Sequence, residues 1–260
     1  MNILAIGDVV GRPGRRAVAA FLPRLRKEYD LDLVIANAEN AAGGIGITSE
    51  IGRELLDQGI DLLTMGNHTW GKREAYDYLD AEPRIIRPAN YPPGVPGRGY
   101  AAVKSRSGIV VGVVNVAGRV FSGSDLDCPF RSAMRIVEEL RETVKIILVD
   151  FHAEATSEKV ALGHYLDGRA SAVFGTHTHV QTADARVLPG GTAYMTDLGM
   201  TGPVDSVIGI KKEIVLERFL TQLPSRFEVA TSRASLMGAL FDIDSETGLA
   251  RDLKAIVVEE

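Results

Sequence analysis

Sulfur ligands are almost missing from this chain, which has one cysteine, Cys128. A lone thiol closes no intramolecular disulfide and rules out a thiolate cluster as a metal site. A small buried or loop residue in a reducing compartment is the reading that fits it. No apolar run reaches the roughly 18 residues that a membrane-spanning helix requires. The first residues already carry Asp8 and lead into an Arg-rich segment, unlike a secretory leader. Positive charge is not in excess. The formal charge of −5 offers no general basic face for nucleic acid, although a local basic pocket stays open. The expectation is a soluble cytoplasmic protein with no membrane and no stable nucleic-acid complex.

The chain has 260 residues, enough for a substantial core, and its 45% apolar and 24% charged residues are ordinary for a globular protein. No repeat, low-complexity segment or linker stands out, so a single domain over 1–260 is expected. Short apolar runs alternate with helical patterns. Asn2 to Ile6 ends at Gly7-Asp8, and a helix begins near Pro13. Leu31 to Ala36 empties into Asn37-Ala38-Glu39-Asn40, and Thr48 caps a helix to about Gln58. Asp61 to Met65 empties into Gly66-Asn67-His68, and a further helix covers Arg73 to Leu79. Pro83 to Pro96 holds five of the eleven prolines and reads as a long surface connection that could rim a cleft.

Tyr100 to Lys104 and Ile109 to Val116 form a hairpin pattern. Gly118 to Pro129 is a polar loop, and Ser132 to Glu142 is amphipathic. Lys145 to Val149 ends at Asp150-Phe151-His152. Helix signals follow over Thr156 to Leu166 and Lys211 to Gln222. Ser171 to Phe174 leads into Gly175-Thr176-His177-Thr178-His179, and Thr192 to Met195 into Thr196-Asp197. The tail shows strand-like runs at Arg226 to Ala230, Ser235 to Ile243 and Leu249 to Val258.

Five of these runs end in a residue able to bind metal, and four of the five histidines stand at such ends. In open α/β sheets, ligands bind beyond the carboxyl ends of the strands. Asp8, Glu39, Asn40, Asn67, His68, His152, His177 and His179 can therefore meet in one crevice. His177 and His179 are two apart, a spacing that in extended backbone points both imidazoles to one side. Carboxylates, amide oxygens and imidazoles without sulfur suit Mn, Fe, Zn or Ni better than an all-oxygen Mg or Ca site. The set is too large for one tetrahedral ion and about right for two ions with a bridging carboxylate, roughly 3.5–4 Å apart.

Gly7-Asp8, Glu39-Asn40, Gly66-Asn67-His68, His152 and His177-Thr178-His179 together resemble the calcineurin-like metallophosphoesterase superfamily. Three details depart from its usual pattern. Val10 stands where a His usually follows the first Asp, Glu39 replaces an Asp, and Thr176 is inserted before His177. The stretches GDVVGRPGR, NAENAAGG, GNHTW, DFHAEATSEK, GTHTHVQTAD and DLGMTGP are similar to the YmdB-type phosphodiesterase subgroup.

That resemblance implies an α/β (α+β in some schemes) four-layer αββα sandwich. It also implies hydrolysis of 2′,3′-cyclic nucleotides, with 3′,5′-cAMP as a further substrate. The centre would hold two divalent or mixed-valence metals, commonly Fe or Mn, and the chain would form a homo-oligomer. Asp8, Asn40 and His179 would hold the first metal, Asn67, His152 and His177 the second, and Glu39 would bridge them. A hydroxide held between the metals would attack, and His68 would protonate the leaving oxygen without ligating. Two rival readings share these residues: a phosphomonoesterase or protein phosphatase, and a metal-loaded nucleotide sensor acting through a partner.

Single residues also carry plainer readings. Trp70 packs or stacks on a base, and Arg12, Arg15 and Arg16 form a solvated helix face or an anion patch. Asp150 and Glu154 orient His152 or lie at the surface. His164 is structural or at a rim.

Overall fold

The computed structural model describes residues 1–122 and 125–260. In chain order the first half comprises β1 (Asn2–Ile6), β2 (Asp8–Val9), α1 (Gly11–Glu28), β3 (Leu33–Asn37), α2 (Ser49–Asp57), β4 (Leu62–Thr64), α3 (Ala75–Ala81), β5 (Ile85–Ile86), β6 (Tyr100–Lys104) and β7 (Val110–Ala117). Then follow α4 (Pro129–Arg141), β8 (Ile146–His152), α5 (Thr156–Tyr165), β9 (Ala172–Thr176), β10 (Arg186–Val187), β11 (Ala193–Met195), β12 (Met200–Pro203), α6 (Lys212–Thr221), β13 (Ala234–Ile243) and β14 (Ala250–Glu259).

Among the described residues the strands form two mixed sheets. One runs β2-β12-β13-β1-β3-β4-β5 with β14 on β13, and the other β10-β11-β9-β8-β7-β6. β1, β3, β4 and β5 are mutually parallel, as are β7, β8, β9 and β11.

Strand alternation explains the layers. In β1, Ile3 and Ala5 face the second sheet, where they pack with Val111, Val113, Ile146, Leu148 and Phe174. Leu4 and Ile6 point the other way, onto Val18, Leu22 and Leu25 of α1 and Leu55 of α2. On the far side, Val114, Ile147, Val149 and Val173 meet Ile136, Val137 and Leu140 of α4 and Leu162 of α5. Each central strand is therefore buried on both faces, which is why the sequence shows continuous apolar runs and not alternation. The order helix, sheet, sheet, helix is the expected four-layer sandwich.

Local signals hold at several helices. Thr48 caps α2 by accepting from Ile51 N at 3.2 Å, and Pro129 opens α4. Two expectations are corrected. Arg226 to Ala230 is no strand; only an isolated bridge joins Val229 to Ile210, because its partner is a short loop and not a strand. Pro83 to Pro96 is not wholly superficial. Ile85 and Ile86 extend the first sheet beside β4, and Arg87 and Asn90 are buried. Asn90 substitutes for ladder partners, donating to Ala117 O and Asp127 O and accepting from Ala117 N. Within the Gly118 to Pro129 loop, Gly123 and Ser124 lie outside the described residues. No helix among the described residues is long and apolar enough to cross a membrane.

Candidate metal centre

The carboxyl ends of β1, β3, β4, β8 and β9 open on one region, and the candidate residues gather there. Asp8 is fully buried just past β1. Its Oδ2 accepts from the backbone N–H of His177 at 3.0 Å, which ties the end of β9 to the end of β1. Asp8 Oδ1 is buried with no hydrogen-bond partner and lies 3.6 Å from His179 Nε2. Glu39, just past β3, is also buried. Its Oε2 accepts from His68 N at 2.8 Å, and its Oε1 lies 3.1 Å from His152 Nε2 and 3.4 Å from His68 Nδ1.

Around His152 Nε2 three further ligand-type atoms converge: Asn67 Oδ1 at 2.8 Å, His177 Nδ1 at 3.0 Å and Glu39 Oε1. One imidazole proton cannot serve three acceptors at once. A cation can, and Glu39, His152 and His177 form a group able to hold a metal ion. The orphaned Asp8 Oδ1 points to the same chemistry, since a buried carboxylate oxygen without a partner is costly unless a cation meets it. The donor set is nitrogen and oxygen, which suits borderline transition metals.

Gly66 permits this approach. A Cβ there would overlap the His152 ring and Glu39 Oε2. Behind His152, Nδ1 lies 2.9 Å from Thr176 Oγ1. Thr176 donates to Asp150 Oδ1 at 2.8 Å, and Thr64 donates to the other Asp150 oxygen. The inserted Thr176 thus backs one imidazole. Asp150 is buried and supports His152 through this chain; Glu154 stays half-exposed and meets His177 Nε2 at 3.1 Å.

The His177-Thr178-His179 turn departs from expectation. β9 ends at Thr176, and His177 and His179 have φ of 100° and 65°. The two imidazoles do not share a side through strand alternation; two left-handed residues swing them to opposite ends of the cluster. Such backbone costs about 1–3 kcal/mol and persists only when neighbours over-determine it. Asp197 is one such neighbour, accepting from Thr178 N at 3.2 Å and Thr178 Oγ1 at 2.7 Å. Lys159 donates to the same carboxylate at 2.6 Å, and both charges are buried. Lys159 escaped the sequence reading; its one signal was a place three residues before Leu162, on the buried face of α5.

Electrostatics divide the histidines. Burial would raise Glu39, but His152 and His68 outweigh it and hold its pKa well below the usual range. Burial also opposes His179 protonation, yet Asp8 prevails and raises its pKa to about 9. His177 is lowered by burial and by His152. Burial pushes Asp150 up to about 6 against its two threonine bonds.

Asn40 Oδ1 lies 2.8 Å from His68 Nδ1, and its Nδ2 lies 3.2 Å from His179 Nε2. His68 Nδ1 is thereby engaged, which leaves Nε2 for a group in the cleft. The cleft measures about 400 Å³ and is floored by Glu39, Asn40, His68, His177 and His179. Trp70 packs edge-on against Tyr76 and Tyr91. Arg15 pairs with Glu54 and Arg16 with Glu260, so these two are held by carboxylates, and Arg12 is exposed. His164 is exposed on α5, and Cys128 precedes α4.

Residues 4–256 match the YmdB-like protein family. The chain belongs to that family. It is 50% identical over 260 residues to the Bacillus subtilis (strain 168) 2′,3′-cyclic-nucleotide 2′-phosphodiesterase, covering 100% of this chain and 98% of the relative. A crystal structure of a hypothetical protein from Thermus thermophilus superposes with a TM-score of 0.93 at 48% identity, with full coverage of both chains. A Mycoplasma pneumoniae phosphatase structure also gives a TM-score of 0.93, at 34% identity, covering 100% of this chain and 94% of that one. The YmdB-like assignment accords with the strand-end motifs that carried the resemblance in the sequence.

Proposed function

We propose that the protein is a metal-dependent phosphodiesterase that hydrolyses 2′,3′-cyclic nucleotides. The observation that carries this reading is the convergence of Asn67 Oδ1, His177 Nδ1 and Glu39 Oε1 on His152 Nε2. Asn67, His152 and His177 would hold one metal and Asp8, Asn40 and His179 a second, with Glu39 available to either. Asn40 would contribute its Oδ1, whose second lone pair still accepts from His68 Nδ1 at 2.8 Å. Iron and manganese are the favoured ions; zinc and nickel are compatible with the same donors. When bound, two such ions acidify a water and draw charge from phosphate oxygens.

The chain's own residues do the rest. The cleft floor seats the phosphodiester, and the buried backing of His152 keeps the donors fixed before substrate arrives. Water that has given one proton to bulk solvent attacks phosphorus as hydroxide, the ester P–O bond in line with it breaks, and His68 Nε2 gives its proton to the departing ribose oxygen. His68 is suited to this because Asn40 and Glu39 hold its other nitrogen. A cytoplasmic homo-oligomer belongs to the same reading. Leu216, Phe219 and Leu220 of α6 are exposed, and a second copy would cover them.

The test is hydrolysis of 2′,3′-cAMP, 3′,5′-cAMP and bis-p-nitrophenyl phosphate with manganese added, beside p-nitrophenyl phosphate as monoester. Diester turnover is expected, with loss of both metal and activity in Asn67→Ala and His177→Ala. His68→Ala should lower kcat by about 10²–10⁴-fold with metal retained. Activity that survives Asn67→Ala, or metal loss in His68→Ala, would sink the corresponding assignment.

A further inference from the structure

The 400 Å³ cleft has a second face that the metal ligands do not explain. Val10, Ile45, Ile208, Ile210 and Phe227 line the same cavity as the polar floor. Three of them are large apolar side chains left open to solvent: Ile45 is 49% exposed, Ile208 53% and Phe227 44%. Single exposed apolar residues are ordinary, but three lining one polar cleft form a surface that gains by being covered.

That wall is built, not incidental. Residues 207–210 form a tight loop in which Val207 and Ile210 bond reciprocally, at 2.9 and 3.0 Å. The strand-like run at 226–230 lies against it, through Lys211 N to Glu228 O and Ala230 N to Gly209 O, both at 2.9 Å. Val229 then reaches the glycine turns on the other side. A Cβ on Gly11 or Gly44 would come within 3.0 Å of it, so these glycines let the two segments close. Ile208 has φ +45°, an outlier for a β-branched residue. Its carbonyl accepts from His179 Nδ1 at 2.9 Å, so the wall and the metal side of the cleft are fastened at one residue. Phe227 separates this cleft from an apolar cavity beside α6. The Arg218 guanidinium stacks over its ring, 4.8 Å from the centroid.

We propose that Ile45, Ile208 and Phe227 form the nucleobase-binding face of the cleft, with Phe227 the main determinant of nucleoside affinity. The proposal rests on the phosphodiesterase reading and deepens it. A cyclic nucleotide presents an anionic phosphodiester at one end and a flat apolar ring at the other. The cleft offers the matching pair, a cation-seeking floor and an apolar wall, within a volume suited to a small ligand. Base stacking on an aromatic side chain is tolerant of base identity because every base has a π-face.

The experiment compares kcat and KM for 2′,3′-cAMP with those for methyl riboside 2,3-cyclic phosphate, which keeps the reacting diester and lacks the base. For the wild type, loaded with manganese, KM for the base-free substrate is expected to be at least about 10-fold higher. Phe227→Ala should raise KM for 2′,3′-cAMP by about 10-fold, leave kcat nearly unchanged and leave the base-free KM where it was. Phe227→Tyr should restore the wild-type KM, and Ile45→Ala should give a smaller change of the same kind. Equal KM values for the two substrates in the wild type, or a Phe227→Ala effect shared by both, would overturn the wall while leaving the phosphodiesterase reading intact. Turnover of neither substrate overturns both.

Discussion

In the proposed metal centre, His152, His177 and Asn67 make one half, and there the imidazole nitrogens crowd to 3.0 Å. Asp8, Asn40 and His179 make the other half, where an imidazole faces a carboxylate oxygen 3.6 Å away that has no other partner. The halves also differ in what stands behind them. His152 is braced by the buried hydroxyl of Thr176 and, through it, by Asp150. His179 is braced by the carbonyl of Ile208, on a loop whose side chain is exposed. Burial, and then the neighbouring His152, disfavour a proton at His177, whereas Asp8 retains one at His179 against burial. In the absence of metal, then, His177 is kept from protonation in a half that is rigidly backed, and His179 holds a proton where a cation would sit in a half backed by a surface loop. Metal uptake should differ accordingly.

The largest expected effect comes from removing the support that both halves share. Lys159→Met strands the buried Asp197 carboxylate, which holds Thr178 between the two turn histidines. Breaking one partner of a buried pair costs about 3–5 kcal/mol. Urea unfolding should show a loss of that size with the m-value unchanged. A loss below about 1 kcal/mol, the range of exposed pairs, would show that Asp197 is held adequately by its other donors.

The second prediction sharpens the contrast in proton occupancy. In chelator-treated protein, His179 titrates near pH 9 when folded, against the ordinary value of 6.5 when unfolded. The folded state therefore binds more protons between these values, and stability falls as pH rises through that window. His152, also raised by its carboxylate neighbours, acts in the same direction. The slope attributable to His179 approaches about 1.4 kcal/mol per pH unit at most. His179→Gln should flatten the part that extends toward pH 9. Manganese, which competes with that proton, should abolish the fall. A slope that persists in His179→Gln would place the proton elsewhere.

Much of the gathering of the candidate residues was legible because they are delivered by strands buried on both faces, and such strands announce themselves as apolar runs with a polar residue at the end. Asp8, Glu39, Asn67 and His152 all follow that rule. That His177 and His179 join the other candidate residues was legible, but not the backbone that brings them there, since nothing in a His-Thr-His triplet specifies positive φ. The apolar wall was illegible for a different reason. Ile208 and Phe227 are brought together by isolated bridges between loops, which carry no periodicity, and Arg226 to Ala230 consequently read as a strand. Ile85 and Ile86 hid among prolines because two ladder residues suffice to extend a sheet edge. Lys159 looked like an ordinary helix charge, because its partner lies 38 residues away.

The smallest of the three effects tests the backing of a single imidazole. Thr176→Val keeps the shape of the side chain and removes the hydroxyl between His152 Nδ1 and Asp150 Oδ1. Both groups are buried, and the substitution leaves each short of a partner, at a stability cost of about 1–3 kcal/mol. The more telling readout is metal affinity. Groups that orient a ligating imidazole are worth about 10–100-fold in metal binding or activity, so calorimetric titration of the chelated variant with manganese should show a loss in that range. If the halves load independently, the loss falls on one of two binding steps and the other keeps its wild-type affinity. If both steps weaken together, Glu39 couples them: its Oε1 lies 3.1 Å from His152 Nε2 and accepts from Asn40 Nδ2 at 3.4 Å, so a tilt of the His152 ring reaches the other half through it.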